Sequence, residues 1–156
     1  MVDVKRTGNG FAELDVALKA LKGWEGRTGF FEDATYPNGT KVAYVAAIQE
    51  LGYEEGGIPA RPFMRPAVTK NKSRWSDFAA RIAKRILKGT QTAQGGMEDL
   101  AEFAAEDVKQ AIEAVTTPPL KPGTLAARRA KGRTSDKPLI DTKLMIRSVQ
   151  GKAVEE

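Results

Sequence analysis

The chain has 156 residues, 25 Lys+Arg against 20 Asp+Glu, 41% apolar and 29% charged residues. That length suits one domain, and that composition suits a globular protein rather than a disordered one. It contains no His and no Cys, which removes disulfides, thiolate nucleophiles, zinc knuckles, Fe–S clusters, the Ser-His-Asp triad and imidazole metal ligands. Carboxylate or lysine chemistry stays open, but no residue constellation points to it. The expectation is a protein that is not an enzyme and carries no cofactor or metal. The apolar run Val42–Ile48 is far too short for a membrane span, and Met1–Lys5 has no apolar stretch of the secretory kind, so neither membrane nor secretory signal is expected.

Val2 and Val4 alternate with charged neighbours and predict a short strand over residues 2–6. Gly8-Asn9-Gly10 lacks the third glycine of a dinucleotide fingerprint and reads as a helix start with Asn9 as cap. Phe11, Leu14, Leu18 and Leu21 then recur at helical spacing, with Gly23 as the stop. Residues 24–31 read as extended, and Tyr36-Pro37-Asn38-Gly39 as a turn. Val42, Val45, Ile48 and Leu51 form a second helical stripe closed by Gly52. Residues 54–59 read as a loop. The three prolines at 59, 62 and 66 predict an extended segment from Ile58 to Pro66. Long helices follow over 68–88 and 97–115, a short one over 124–130, another through Leu144–Arg147, and a last strand near 148–154. The pattern predicts a single α+β domain spanning 1–156, with a small antiparallel sheet packed against two or three longer helices and a flexible loop at 130–137.

Charge is segmented. Residues 57–96 carry nine Lys/Arg against one acid, 97–114 carry six acids against one base, and 115–137 carry six bases against one acid. Such blocks mark solvated faces and oriented contacts between subunits more often than a uniform nucleic-acid footprint. Arg74, Arg81, Lys84, Arg85 and Lys88 stand broadly opposite Trp75, Phe78 and Ile82 on the first long helix, and are candidates for contact with DNA or with an acidic partner. In the proline-rich segment, alternation places Phe63 on one side and Arg61 and Arg65 elsewhere. The segment can lie on its own core or dock on a neighbour with an arginine free to pair a carboxylate. Ile58, Pro59, Arg61, Phe63 and Arg65 are therefore interface candidates. Asp141 reads as the cap of the 144–147 helix, and the adjacent carboxylates Glu54-Glu55 and Glu98-Asp99 as ordinary surface.

Three segments in order carry a resemblance: Tyr44–Gly52 (YVAAIQELG), Ile58–Pro66 (IPARPFMRP) and Lys137–Thr142 (KPLIDT) followed by Leu144 and Ser148. Together they resemble the minor tail, or tail-completion (neck), family of tailed double-stranded DNA bacteriophages, over roughly residues 24–150. The resemblance implies a tail-terminator-like fold and a structural virion protein, assembled in the host cytoplasm and located in the neck or tail. It also implies a ring of copies, six by the family's habit, that completes the tail end. Its partners would be the tail terminator, tail tube and head-tail connector proteins, with packaged DNA in the channel. The Ala60–Phe63 segment and the Asp141-Thr142 element would shape the core and the subunit contacts. The Glu50–Ile58 and 130–137 loops would reach neighbouring rings. The family pattern has glycine where this chain has Lys143. A left-handed backbone there would strain a lysine by about 1 kcal/mol, and ordinary helical backbone is the expectation. The alternatives are a tail terminator and a basic DNA-binding module.

Overall fold

Small residues set how closely the sheet of this protein meets its helices. The computed structural model describes residues 10–155. The strand expected over 2–6 and the cap expected at Asn9 lie outside the described residues. In chain order the elements are α1 (Gly10–Lys22), β1 (Trp24–Phe30), α2 (Val42–Leu51), α3 (Met64–Leu87), α4 (Ala93–Ala114), α5 (Pro122–Ala130), α6 (Leu144–Arg147) and β2 (Val149–Glu155). Among the described residues the sheet has two strands, β1 and β2, paired antiparallel from Trp24 opposite Glu155 to Phe30 opposite Val149.

That ribbon lies directly on the backbone of α4. A Cβ on Gly151 would stand 2.1 Å from the carbonyl carbon of Ala101, and one on Gly26 would stand 3.0 Å from the Met97 oxygen. The Thr28 hydroxyl donates to the Ala101 carbonyl at 2.7 Å. On another side of α4, α3 packs antiparallel through Phe78 and Phe103, whose ring centroids are 4.4 Å apart. The core is filled by Phe63, Val42, Val108, Ile112 and Val149, closed by Leu139, Ile140 and Met145. Phe30 packs edge-on against Phe63 at 6.0 Å. The architecture is a small α+β single domain with a two-stranded antiparallel sheet packed against several helices.

Two helices start four residues earlier than their apolar spacing predicts. α3 starts at Met64 and absorbs Pro66, because a proline in the first turn removes an amide that has no partner inside the helix. α4 starts at Ala93, with the Thr92 hydroxyl accepting from Gly95 N at 3.1 Å. Gly95-Gly96 does not break it: a Cβ on Gly96 would come within 2.6 Å of Ile82 Cγ2, so the glycine is the means by which α3 and α4 approach.

Candidate functional site

The N-terminus of α3 is held by a carboxylate from α2. Four amides at a helix start lack intrahelical partners. Glu50 Oε2 accepts from Phe63 N at 2.7 Å and Met64 N at 2.8 Å, and Oε1 accepts from Arg65 N at 3.2 Å and Arg65 Nε at 3.0 Å. The side chain of Glu50 is only 12% exposed, while that of Arg65 is 68% exposed. Burial pushes the Glu50 carboxyl up, but the amide hydrogen bonds from Phe63 and Met64, with those from Arg65, outweigh it and hold the group below its usual value. Phe63 points into the core at 2% exposure. Ile58 is half-buried in a bridge with Tyr53, and Pro59 is exposed.

Arg61 is not available to a partner's carboxylate. It is buried, with Nε donating to the Pro118 carbonyl at 2.8 Å, Nη2 to the Pro119 carbonyl at 3.2 Å and Nη1 to Gln49 Oε1 at 3.3 Å. Its backbone amide donates to Gln49 O at 2.6 Å. Burial, and then the neighbouring Arg128, lower its pKa from the ordinary guanidinium value. The expectation that Phe63 and Arg61 stand on different sides fails: two residues apart in an extended stretch they share a face, and both point inward, whereas Arg65 lies past the turn into α3 and is exposed.

Arg128 organises the returning chain. Its Nη1 donates to the carbonyls of Lys137 at 2.8 Å and Ile140 at 3.1 Å, and its Nη2 to Pro138 O at 3.0 Å. Asp141 is half-buried and pairs with Arg133, with Arg128 Nε 3.4 Å from its other oxygen. Asp141 therefore does not cap α6. The Thr142 hydroxyl accepts from Leu144 N at 3.3 Å instead, and Thr142 itself is exposed. Lys143 has φ 61° and ψ 5°, a left-handed backbone rather than the helical one expected, and among the described residues it is the one non-glycine at positive φ. Beside this cluster lies an open cavity of about 610 Å³ whose lining includes Tyr36, Gln49, Lys131, Arg133 and Thr142. Burial, then the charge of Asp141, pushes the Tyr36 phenol up.

The basic helix is split in role. Arg74 does not stand opposite the apolar face. Its Nη1 meets Asp107 Oδ1 at 2.6 Å and its guanidinium lies 4.3 Å from the centre of the Phe103 ring. Trp75 Nε1 donates to Asp107 Oδ2 at 2.7 Å, so both oxygens of this buried carboxylate are occupied. Arg81, Lys84, Arg85 and Lys88 are exposed, Arg81 resting 5.3 Å from the Phe78 ring centre.

Glu50, Asp107, Arg128 and Arg133 carry the strongest polar contacts and were not singled out by sequence reasoning. The signal available for Asp107 was an acid at a core-facing position of α4. For Arg128 and Arg133 it was only membership of a basic block. Among the described residues no group of three or more Asp/Glu/His/Cys could hold a metal ion, and no helix is long and apolar enough to cross a membrane. The chain matches no protein-family profile, no curated protein and no solved structure.

Proposed function

We propose that this chain is a structural subunit of the neck or tail of a tailed double-stranded DNA bacteriophage, completing the tail end as one member of a ring and joining it to the head-side connector. The observation that supports this reading most is the convergence of the three segments on which the sequence resemblance rests. Gln49 and Glu50 of the first hold Arg61, Phe63 and Arg65 of the second. Leu139 and Ile140 of the third share a core with Phe63. Two neighbouring motifs and a third that starts at Lys137 thus form one unit, as they would if they were a family's shared scaffold. The left-handed backbone at Lys143, where the resembled pattern has glycine, supports the same reading.

The absence of His and Cys agrees with an assembly part that performs no chemistry. In this reading the fold is a tail-terminator-like variant with a two-stranded sheet, and the exposed residues Pro59, Arg65 and Thr142 border neighbouring copies. Co-sedimentation tests it: the purified chain is mixed with the tail-tube or connector proteins encoded beside it, and rings bound at tube ends or to connectors are expected. A chain that binds neither overturns the reading.

A second reading, a basic DNA-binding module, rests on exposed Arg81, Lys84, Arg85 and Lys88. It requires a duplex gel shift that weakens steeply with salt and is lost when Arg81, Lys84 and Arg85 become Ala.

A further inference from the structure

We propose that the outer face of the α3–α4 hairpin is a two-fold docking surface for a second copy of this chain. On α3, Lys70, Arg74, Arg81, Lys84 and Lys88 follow one another at steps of three, four or seven, so at 3.6 residues per turn they stay in one stripe, and all are exposed. On α4, Asp99, Glu102, Glu106 and Glu113 form a matching stripe by the same spacing, also exposed. One opposite charge interrupts each: Asp77 in the first, and Lys109 in the second, where it lies 3.7 Å from Glu106.

The packing puts both stripes on one side. The sheet occupies the Met97–Ala101 flank of α4 and α3 occupies its Phe103–Asp107 flank, which leaves the acidic stripe in the free sector. Arg74 belongs to the basic stripe and reaches Phe103 and Asp107, so that stripe borders the same seam, away from the sheet. The hairpin therefore presents a basic ridge beside an acidic ridge.

Register selects the occupant. Within the chain Arg74 is level with Asp107 and Phe78 with Phe103. A two-fold axis along the hairpin then lays α3 antiparallel on the partner's α4. Lys70 comes level with Glu113 of the partner subunit, Arg74 with Glu106 of the partner subunit, and Arg81 with Glu102 of the partner subunit. Every such pair occurs twice, and the contact closes at two copies. Nucleic acid fits this face poorly, because its phosphates would lie against the acidic ridge as well as the basic one. The contact is also distinct from a ring contact, which must join two different surfaces.

Sedimentation velocity tests the surface. At an ionic strength of about 0.01 M the protein is expected at twice its chain mass. At about 1 M, where the screening length falls to roughly 3 Å, it is expected as single chains. R81E/K84E and E102K/E106K are each expected to stay single at low salt with unchanged circular dichroism. Their equimolar mixture is expected to recover a two-chain species, since one then carries two acidic ridges and the other two basic ones. A wild type that stays single at low salt, or double variants that still pair, overturns the proposal. So does a single-chain protein that shifts duplex DNA, which would give the ridge to nucleic acid. Single chains that nonetheless bind tail tubes or connectors remove this contact and leave the ring reading standing.

Discussion

The two ends of α4 belong to regions built on opposite principles. Towards its N-terminal half, the ribbon and α3 are brought close by what is missing: at Gly26 and Gly151 strand backbone meets α4 backbone, and Gly96 makes room for the Ile82 and Ile86 side chains of α3. Towards α2, the start of α3 and the chain returning through 137–142, an apolar core around Phe63, Leu139 and Ile140 is fastened at its edge by charge: Glu50, Arg61, Arg128 and Asp141 bind backbone groups or one another. The first region should fail when volume is added and ignore pH. The second should respond to protonation and to the loss of a single guanidinium.

The largest expected effect lies in the first region. Gly151→Ala puts a methyl group inside the van der Waals radius of the α4 backbone, which cannot yield as a flexible side chain can. A loss of at least about 3 kcal/mol is expected in urea unfolding. Gly123→Ala, with nothing near its added methyl, is expected to change stability by less than about 0.5 kcal/mol. Equal effects at both positions would break the contrast.

Next comes Arg61→Met, which keeps an apolar stem but strands the Pro118 and Pro119 carbonyls. A loss of about 2 kcal/mol is expected. Arg61→Lys is expected to recover little of it, because a single ammonium cannot span two carbonyls and Gln49 together. Full rescue by lysine would mean that charge alone, and not the planar fork, matters there.

Glu50 sharpens the contrast through pH. Its folded pKa lies below the ordinary carboxylate value of 4.5, so its contribution is complete above that value and is lost as pH falls through the lower folded one. Glu50→Gln is expected to cost about 1 to 2 kcal/mol at neutral pH. The difference between variant and wild type should shrink on acidification. Urea midpoints measured from pH 7 down to pH 3 test this, and a gap that stays constant would contradict the clamp.

The smallest effect is a gain. Lys143→Gly relieves a left-handed lysine and returns part of that gain as chain entropy, for a net stabilisation of about 0.5 kcal/mol. A loss of stability would show that the Lys143 side chain contributes contacts that outweigh the strain.

Most elements were legible in the sequence because their signals are local. The apolar stripe of α2, the Gly52 stop and the final strand needed only periodicity and a glycine. The starts of α3 and α4 were not, since Pro66 and Gly95-Gly96 are breakers by propensity. What makes them acceptable, a carboxylate from α2 and the isoleucines of α3, lies far off in the chain. The polar clusters were illegible for the same reason. An alternating pattern cannot show that Arg61 turns inward to two proline carbonyls, nor can a cap preference show that Asp141 is claimed first by Arg133. Lys143 was misjudged because extending helical backbone one residue ahead of Leu144–Arg147 ignored the turn that Thr142 builds by accepting from Leu144 N.

We propose above that these convergent segments form the scaffold of a neck or tail subunit. On that proposal a tailed phage encodes the chain, and imaging of its assembled particles is the most direct test. Density for this fold is expected as a ring at the head–tail junction. Mature, tail-bearing particles that contain none of the chain would contradict it.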